Sequence, residues 1–239
     1  MSVGAYEKPP TMELAVWNEL QNYFIEEDHQ LKTRLDQLFG SRKILKSAHS
    51  LIDAGFYILA QNPRNDLIVA THYKFPGYVF KIFPDRSKMT RDWYYFRKRV
   101  RGARSISAAI HRHGWDHQFF APKKWIYPLP LTPYPGYTDY PKKYFVLIAQ
   151  EVKRIKSSSK HKKLWRSELI HPLLLTRLHT LIKENGMADS VFIDNIPLCE
   201  DGRIAFIDTE YYHNWGIPYT RLLPFLSKPM QAHWRNLIR

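Results

Sequence analysis

The chain has 239 residues, 44% hydrophobic, 15% aromatic and 24% charged, enough to bury a core as one large domain or two small lobes. A single cysteine, Cys199, excludes an internal disulfide framework and argues against a thiolate metal cage, and no stretch nears the roughly 18 uninterrupted apolar residues of a membrane span. The net charge of +14 favours an anionic partner: nucleic acid, a phosphorylated ligand, an acidic protein or a membrane surface. The opening segment MSVGAYEKPPTMEL has neither a basic start nor an apolar centre, so a soluble, cytoplasmic protein is expected.

From about Met12 to Phe39 the spacing of Trp17, Leu20, Phe24, Leu31, Leu35 and Leu38 predicts one amphipathic helix, with Gly40 as its stop. Three β-rich runs follow: Phe56 to Ala60, Leu67 to Ala70 and Tyr78 to Phe83. The Gln61–Asp66 turn and the Phe75-Pro76-Gly77 break separate them, and an antiparallel meander is predicted. Arg91 to about His113 reads as a helix on Trp93, Phe96, Val100 and Ala103. Two further strands are expected, near Phe119 to Ile126 and at Tyr144 to Ala149, with the Pro-rich stretch Pro128–Pro141 between them as a loop.

Beyond Glu151-Val152 the run Lys153–Lys163 holds six Lys/Arg and no acid, and an exposed linker is expected there. Pro172 to Glu184 then predicts a helix with proline at its start and Gly186 at its end. Short apolar pieces on either side of Glu200-Asp201-Gly202 predict a hairpin. Its antiparallel arms bring Asn195, at the mouth of one, and Asp208, at the mouth of the other, to the same end. An amide oxygen and a carboxylate held together suit a hard cation such as Mg²⁺, although Asn and Asp also flank strands for purely structural reasons.

This segment resembles the catalytic loop, hairpin and metal motif of the protein-kinase-like superfamily, whose pattern is H-R-D-x-x-x-x-N, a short hairpin and D-F-G. Placing Asn195 on the family's metal-binding asparagine puts Asp208 on the D-F-G aspartate without a gap. The variant Asp208-Thr209-Glu210 is more like the small-molecule-kinase branch. Val79-Phe80-Lys81 resembles the V-A-I-K strand, and Val146 to Val152 resembles the last strand of the first lobe with its hinge. The resemblance implies an α+β, bilobal kinase-like fold: a five-stranded antiparallel N-lobe, a reduced and mainly helical C-lobe, and an extra N-terminal helix. It divides the chain into a helical extension (1–40), an N-lobe (41–152), a basic linker (153–163) and a C-lobe (164–239). The 31 residues after Asp208 make this a minimal member.

The resemblance further implies ATP and Mg²⁺ as cofactors and a kinase acting on an unknown acceptor, protein or small molecule. Lys81 and Arg64 would meet phosphates, and backbone groups of Glu151 and Val152 the adenine. Asn195, Asp208 and Glu210 would hold metal, with Asp189 as base. The sequence departs from the pattern in three places. The Gln61–Asp66 turn has no glycine to let backbone N–H groups approach phosphates. No helical glutamate is found to pair with Lys81, which leaves Asp208 as its expected partner. Ser190 occupies the gapless base position, with Asp189 beside it. These departures keep a catalytically inactive pseudokinase as the first alternative. The second is a basic nucleic-acid-binding protein, suggested by eight Lys/Arg interleaved with aromatics in Arg86–Arg104.

Overall fold

The computed structural model describes residues 6–26, 29–40, 44–131, 141–155 and 158–239. The expected Pro-rich loop lies, over 132–140, outside the described residues, as do Lys156 and Ser157 of the basic run. Two compact units emerge: Met1–Arg97 with Lys124–Glu151, and Lys98–Lys123 with Val152–Arg239.

In the first unit the three β-rich runs form the predicted meander. β1 (Phe56–Gln61), β2 (Ile68–His72) and β3 (Tyr78–Ile82) pair antiparallel, and β6 (Phe145–Gln150) and β5 (Lys124–Pro128) complete a five-stranded sheet in the order β1-β2-β3-β6-β5. The period-2 alternation sends Phe56, Ile68, Phe80, Ile82, Val146 and Ile148 into a core shared with Leu31, Leu35 and Phe39. Each such side chain contributes roughly 1.5–3 kcal/mol through burial.

The single N-terminal helix is replaced by two, α1 (Leu14–Gln21) and α2 (Gln30–Gly40). Between them the chain pairs with the rim of β5: Ile126 N–H donates to Tyr23 O at 2.8 Å, and Ile25 N–H to Ile126 O at 3.3 Å. Satisfying an edge strand outweighs continuing a helix there. After a short α3 (Ala48–Asp53) and the meander comes α4 (Asp92–Arg112), as expected. The unit boundary falls within it, after Arg97.

The second unit contains the rest of α4, then β4 (Phe119–Phe120), α5 (Ser158–Trp165), α6 (Pro172–Asn185), β7 (Ile204–Ala205), a 3-10 turn (Tyr219–Phe225) and α7 (Lys228–Leu237). The strand expected from Phe119 to Ile126 is split: β4 pairs parallel with β7 in this unit, whereas β5 belongs to the large sheet. The basic run is helical from Ser158, because His161 and Trp165, four residues apart, share a buried face while Lys160, Lys162 and Lys163 stay exposed. α6 keeps its predicted signals. The His171 ring caps it by accepting Leu174 N–H, Pro172 opens it, and Gly186 closes it in the left-handed conformation at φ 57°. Ile106, Ile110, Leu175, Leu178, Phe206 and Trp234 are among the residues of the second core.

Candidate functional site

The predicted hairpin exists as a hydrogen-bonded ladder with only two residues in regular strand. Cys199 N–H donates to Arg203 O at 2.8 Å, Ala205 N–H to Pro197 O at 3.0 Å, and Ile207 N–H to Asn195 O at 3.0 Å. The last rung sets Asn195 and Asp208 at the same mouth. Upstream, successive turns fold 187–196 into a compact loop through Ser190 N–H to Met187 O and Asn195 N–H to Phe192 O. The Asn195 amide reaches back across it, Nδ2 donating to Asp189 O at 3.1 Å, which orients its oxygen away from the loop backbone.

Asp208 is paired with a residue that the sequence reading counted only as part of a basic surface. Arg99 of α4 donates through Nη1 to Asp208 Oδ1 and through Nη2 to Glu210 Oε2. Its side chain is 7% exposed, Glu210 is equally buried, and Thr209 between the two acids is fully buried. The Thr209 hydroxyl donates to Arg99 O at 2.6 Å, so the Asp208-Thr209-Glu210 segment is seated on the helix by backbone as well as charge.

One signal in the sequence pointed to Arg99. It stands three residues after Phe96 and four before Ala103, on the buried stripe of α4. A charged side chain on such a stripe requires a charged partner.

Asp189 is half-buried beside this group. Its pKa is raised, first by burial and then by the charges of Asp208 and Glu210, against the opposing pull of Arg99 and Lys98. A carboxyl with a raised pKa is a better proton acceptor near neutral pH than an ordinary aspartate. Ser190, at the gapless base position, is fully buried, and its Oγ has no hydrogen-bond partner among the described residues. A second cation, Lys98, lies 5.2 Å from the Tyr211 ring centroid.

The oxygen donors Asn195 and Asp208 fit a hard cation in kind. Among the described residues, however, no group of three or more His, Cys, Asp or Glu side chains is arranged to hold a metal ion. Asp208 and Glu210 are both clasped by Arg99.

The remaining predicted residues lie in the sheet and its turns. Lys81 is half-buried on interior strand β3, opposite Val69 of β2 and Leu147 of β6, on the face turned away from the first core. It is therefore not the edge-strand lysine that guards a sheet rim. Arg64 is exposed in a turn closed by the Asn62 and Asn65 side chains, whose Oδ1 atoms accept Arg64 N–H and Leu67 N–H. Two backbone groups expected to meet adenine are already used: Glu151 N–H donates to Gly77 O at 2.7 Å, and Val152 O accepts Arg154 N–H at 2.8 Å.

The basic stretch is partly consumed internally, since Arg99 is buried in its ion pairs and Arg97 bonds Glu19 at 2.6 Å. The second unit still holds 20 of the 36 Lys/Arg and 9 of the 22 Asp/Glu, so it carries +11 of the +14 charge. Its acidic group sits in a field that attracts anions.

No protein-family model and no curated protein matches the chain. Among solved structures it is similar to the PknI kinase domain of Mycobacterium tuberculosis, at 12% identity and TM-score 0.34, over 66% of this chain and 59% of that one. It is also similar to the complex of Rv3197 with erythromycin from the same organism, at 14% identity and TM-score 0.34, over 89% of this chain and 63% of that one. The chain thus spans about three fifths of the length of these neighbours. Likenesses at this score assign neither fold nor activity. What is established is a mixed α+β chain with a five-stranded antiparallel sheet, in which no described helix is long and apolar enough to cross a membrane.

Proposed function

We propose that this chain is an atypical phosphotransferase of the protein-kinase-like kind, with the first unit as N-lobe and the second as a reduced C-lobe. The observation that carries the reading is the convergence of Asp189, Asn195 and Asp208 in one unit, on a loop and hairpin whose hydrogen bonds fix all three. Phosphoryl transfer rests mainly on positioning and charge stabilisation, and this group supplies both a cation-binding carboxylate and a proton acceptor. Asn195 and Asp208 would hold a divalent cation, which would neutralise phosphate charge. Asp189, its proton affinity raised by burial, would take the acceptor's hydroxyl proton. Lys81, half-buried on an interior strand, supports a role in binding nucleotide phosphates.

A second reading, a pseudokinase that keeps the fold for binding, is favoured by a specific observation: Arg99 already neutralises Asp208 and Glu210. The two separate in one experiment. Thermal melting with and without Mg-ATP, on wild type and Asp208→Ala, is paired with labelled-phosphate transfer to the protein itself or a generic acceptor. The enzyme reading expects a nucleotide-dependent rise in Tm and transferred label, both lost in Asp208→Ala. A rise in Tm without transfer leaves the pseudokinase, and neither signal sinks both.

A further inference from the structure

A divalent cation at Asp208 and Glu210 would have to share or take the oxygens that Arg99 now holds. The guanidinium bonds both carboxylates at once, Nη1 to Asp208 and Nη2 to Glu210, and it is buried where competing water is scarce. It is also anchored: the Thr209 hydroxyl bonds the Arg99 carbonyl, and the Thr209 backbone presses against Gly102 one turn along the same helix. That seam fixes the Arg99 backbone, so a change of partner falls to its side chain alone. Its Nε–H is buried with no hydrogen-bond partner among the described residues, so the paired state leaves one donor unsatisfied. A buried guanidinium between two carboxylates supplies the positive charge that a metal ion supplies in an open site.

We propose that Arg99 is a built-in counter-ion that competes with the divalent cation for Asp208 and Glu210, so that the site takes a cation only when Arg99 is released. This rests on the reading of Asp208 as a metal ligand. The competition also names what releases it. A phosphate oxygen accepts a guanidinium as well as a carboxylate does, so a polyphosphate ligand offers the displaced Arg99 a new partner and the unsatisfied Nε–H an acceptor. A bare cation offers neither. The site therefore discriminates against free Mg²⁺ in favour of a cation that arrives with phosphate.

The test is Mn²⁺ binding to the purified full chain without nucleotide, read from the paramagnetic resonance of free Mn²⁺. Arg99→Gln, which keeps a polar side chain but removes the charge, is expected to bind Mn²⁺ at least tenfold tighter than wild type. Arg99→Lys should fall between them, and Asp208→Asn added to Arg99→Gln should erase the gain. If Arg99→Gln binds no tighter while Asp208→Asn alone abolishes wild-type binding, the counter-ion role is overturned and the metal site stands. If no form binds Mn²⁺, both fall. A wild-type measurement guards against a variant that fails to fold. The ¹⁵N resonance of the Arg99 Nε–H should shift as Mg²⁺ and pyrophosphate are added together. An unmoved signal at saturation overturns the proposal.

Discussion

The carbonyl of Thr209 lies against helix α4 at the place where any Cβ on Gly102 would stand. Gly102 is helical, so its lack of a side chain serves this approach and not an unusual backbone angle. In an open helix Gly→Ala stabilises by about 1 kcal/mol. Here the added methyl must push the backbone next to Asp208 off the helix, and overpacking of this kind costs roughly 1–3 kcal/mol. Gly102→Ala is therefore expected to lower stability in urea unfolding and to loosen the Arg99 pairs. A more stable variant would show that the segment is not docked there.

Asp189 should titrate above the ordinary aspartate range, because burial and then the charges of Asp208 and Glu210 disfavour its ionised form. The sign follows for stability: its contribution is full below the ordinary aspartate pKa and is lost as pH rises through the higher folded value. Carboxyl ¹³C titration should find Asp208→Asn moving the Asp189 midpoint down, though not to the unperturbed value, since burial persists. An unmoved midpoint would place the two carboxylates too far apart to act as one site.

His161 holds the hairpin from behind. Its Nε2 accepts Trp165 Nε1–H and Leu198 N–H, each at 3.1 Å, which leaves the ring proton of the neutral form on Nδ1. Burial, ahead of any charge effect, lowers its pKa, so its contribution is full above pH 6.5 and falls away in acid as the ring is forced to protonate. His161→Ala strands two buried donors and should cost roughly 2–5 kcal/mol. His161→Gln, whose amide oxygen can accept one of them, should cost less. Equal losses in chemical denaturation would refute the bonding role.

Asp92 opens α4 and binds the start of β6, accepting N–H groups from Trp93 at 2.8 Å, Tyr144 at 3.2 Å and Phe145 at 3.3 Å. Burial lifts its pKa to about 6 against those donors and the nearby Lys143. Stability from this group is present below about pH 4 and lost as pH rises to 6, a change on the order of 3 kcal/mol. Unfolding free energies measured across that window should slope downward from this source, and Asp92→Asn should flatten the slope.

Much of the local structure in both units was legible in sequence. Alternation in Phe56–Ala60 and Tyr78–Phe83 fixed which faces pair and bury, and Pro172 and Gly186 punctuated α6, because these signals are local. The helix predicted across Met12–Phe39 failed at Tyr23–Ile25, where a partner about a hundred residues away in β5 claims the backbone. Periodicity does not register such a partner. The split between Phe119–Phe120 and Lys124–Pro128 was hidden for the same reason: both are short apolar runs, and only their partners distinguish them.

The residue types at the site, and the hairpin that brings Asn195 to Asp208, were set by the sequence alone, because antiparallel pairing across a short turn admits few registers. Which cation faces Asp208 was decided by tertiary structure. Arg99, 109 residues upstream of Asp208, bonds its carboxylate, and no local motif singled out that partner. A contact that distant depends on how α4 seats against the segment, through Gly102 and Thr209. Local pattern places a charge on a helix face, and only packing selects the charge that it meets.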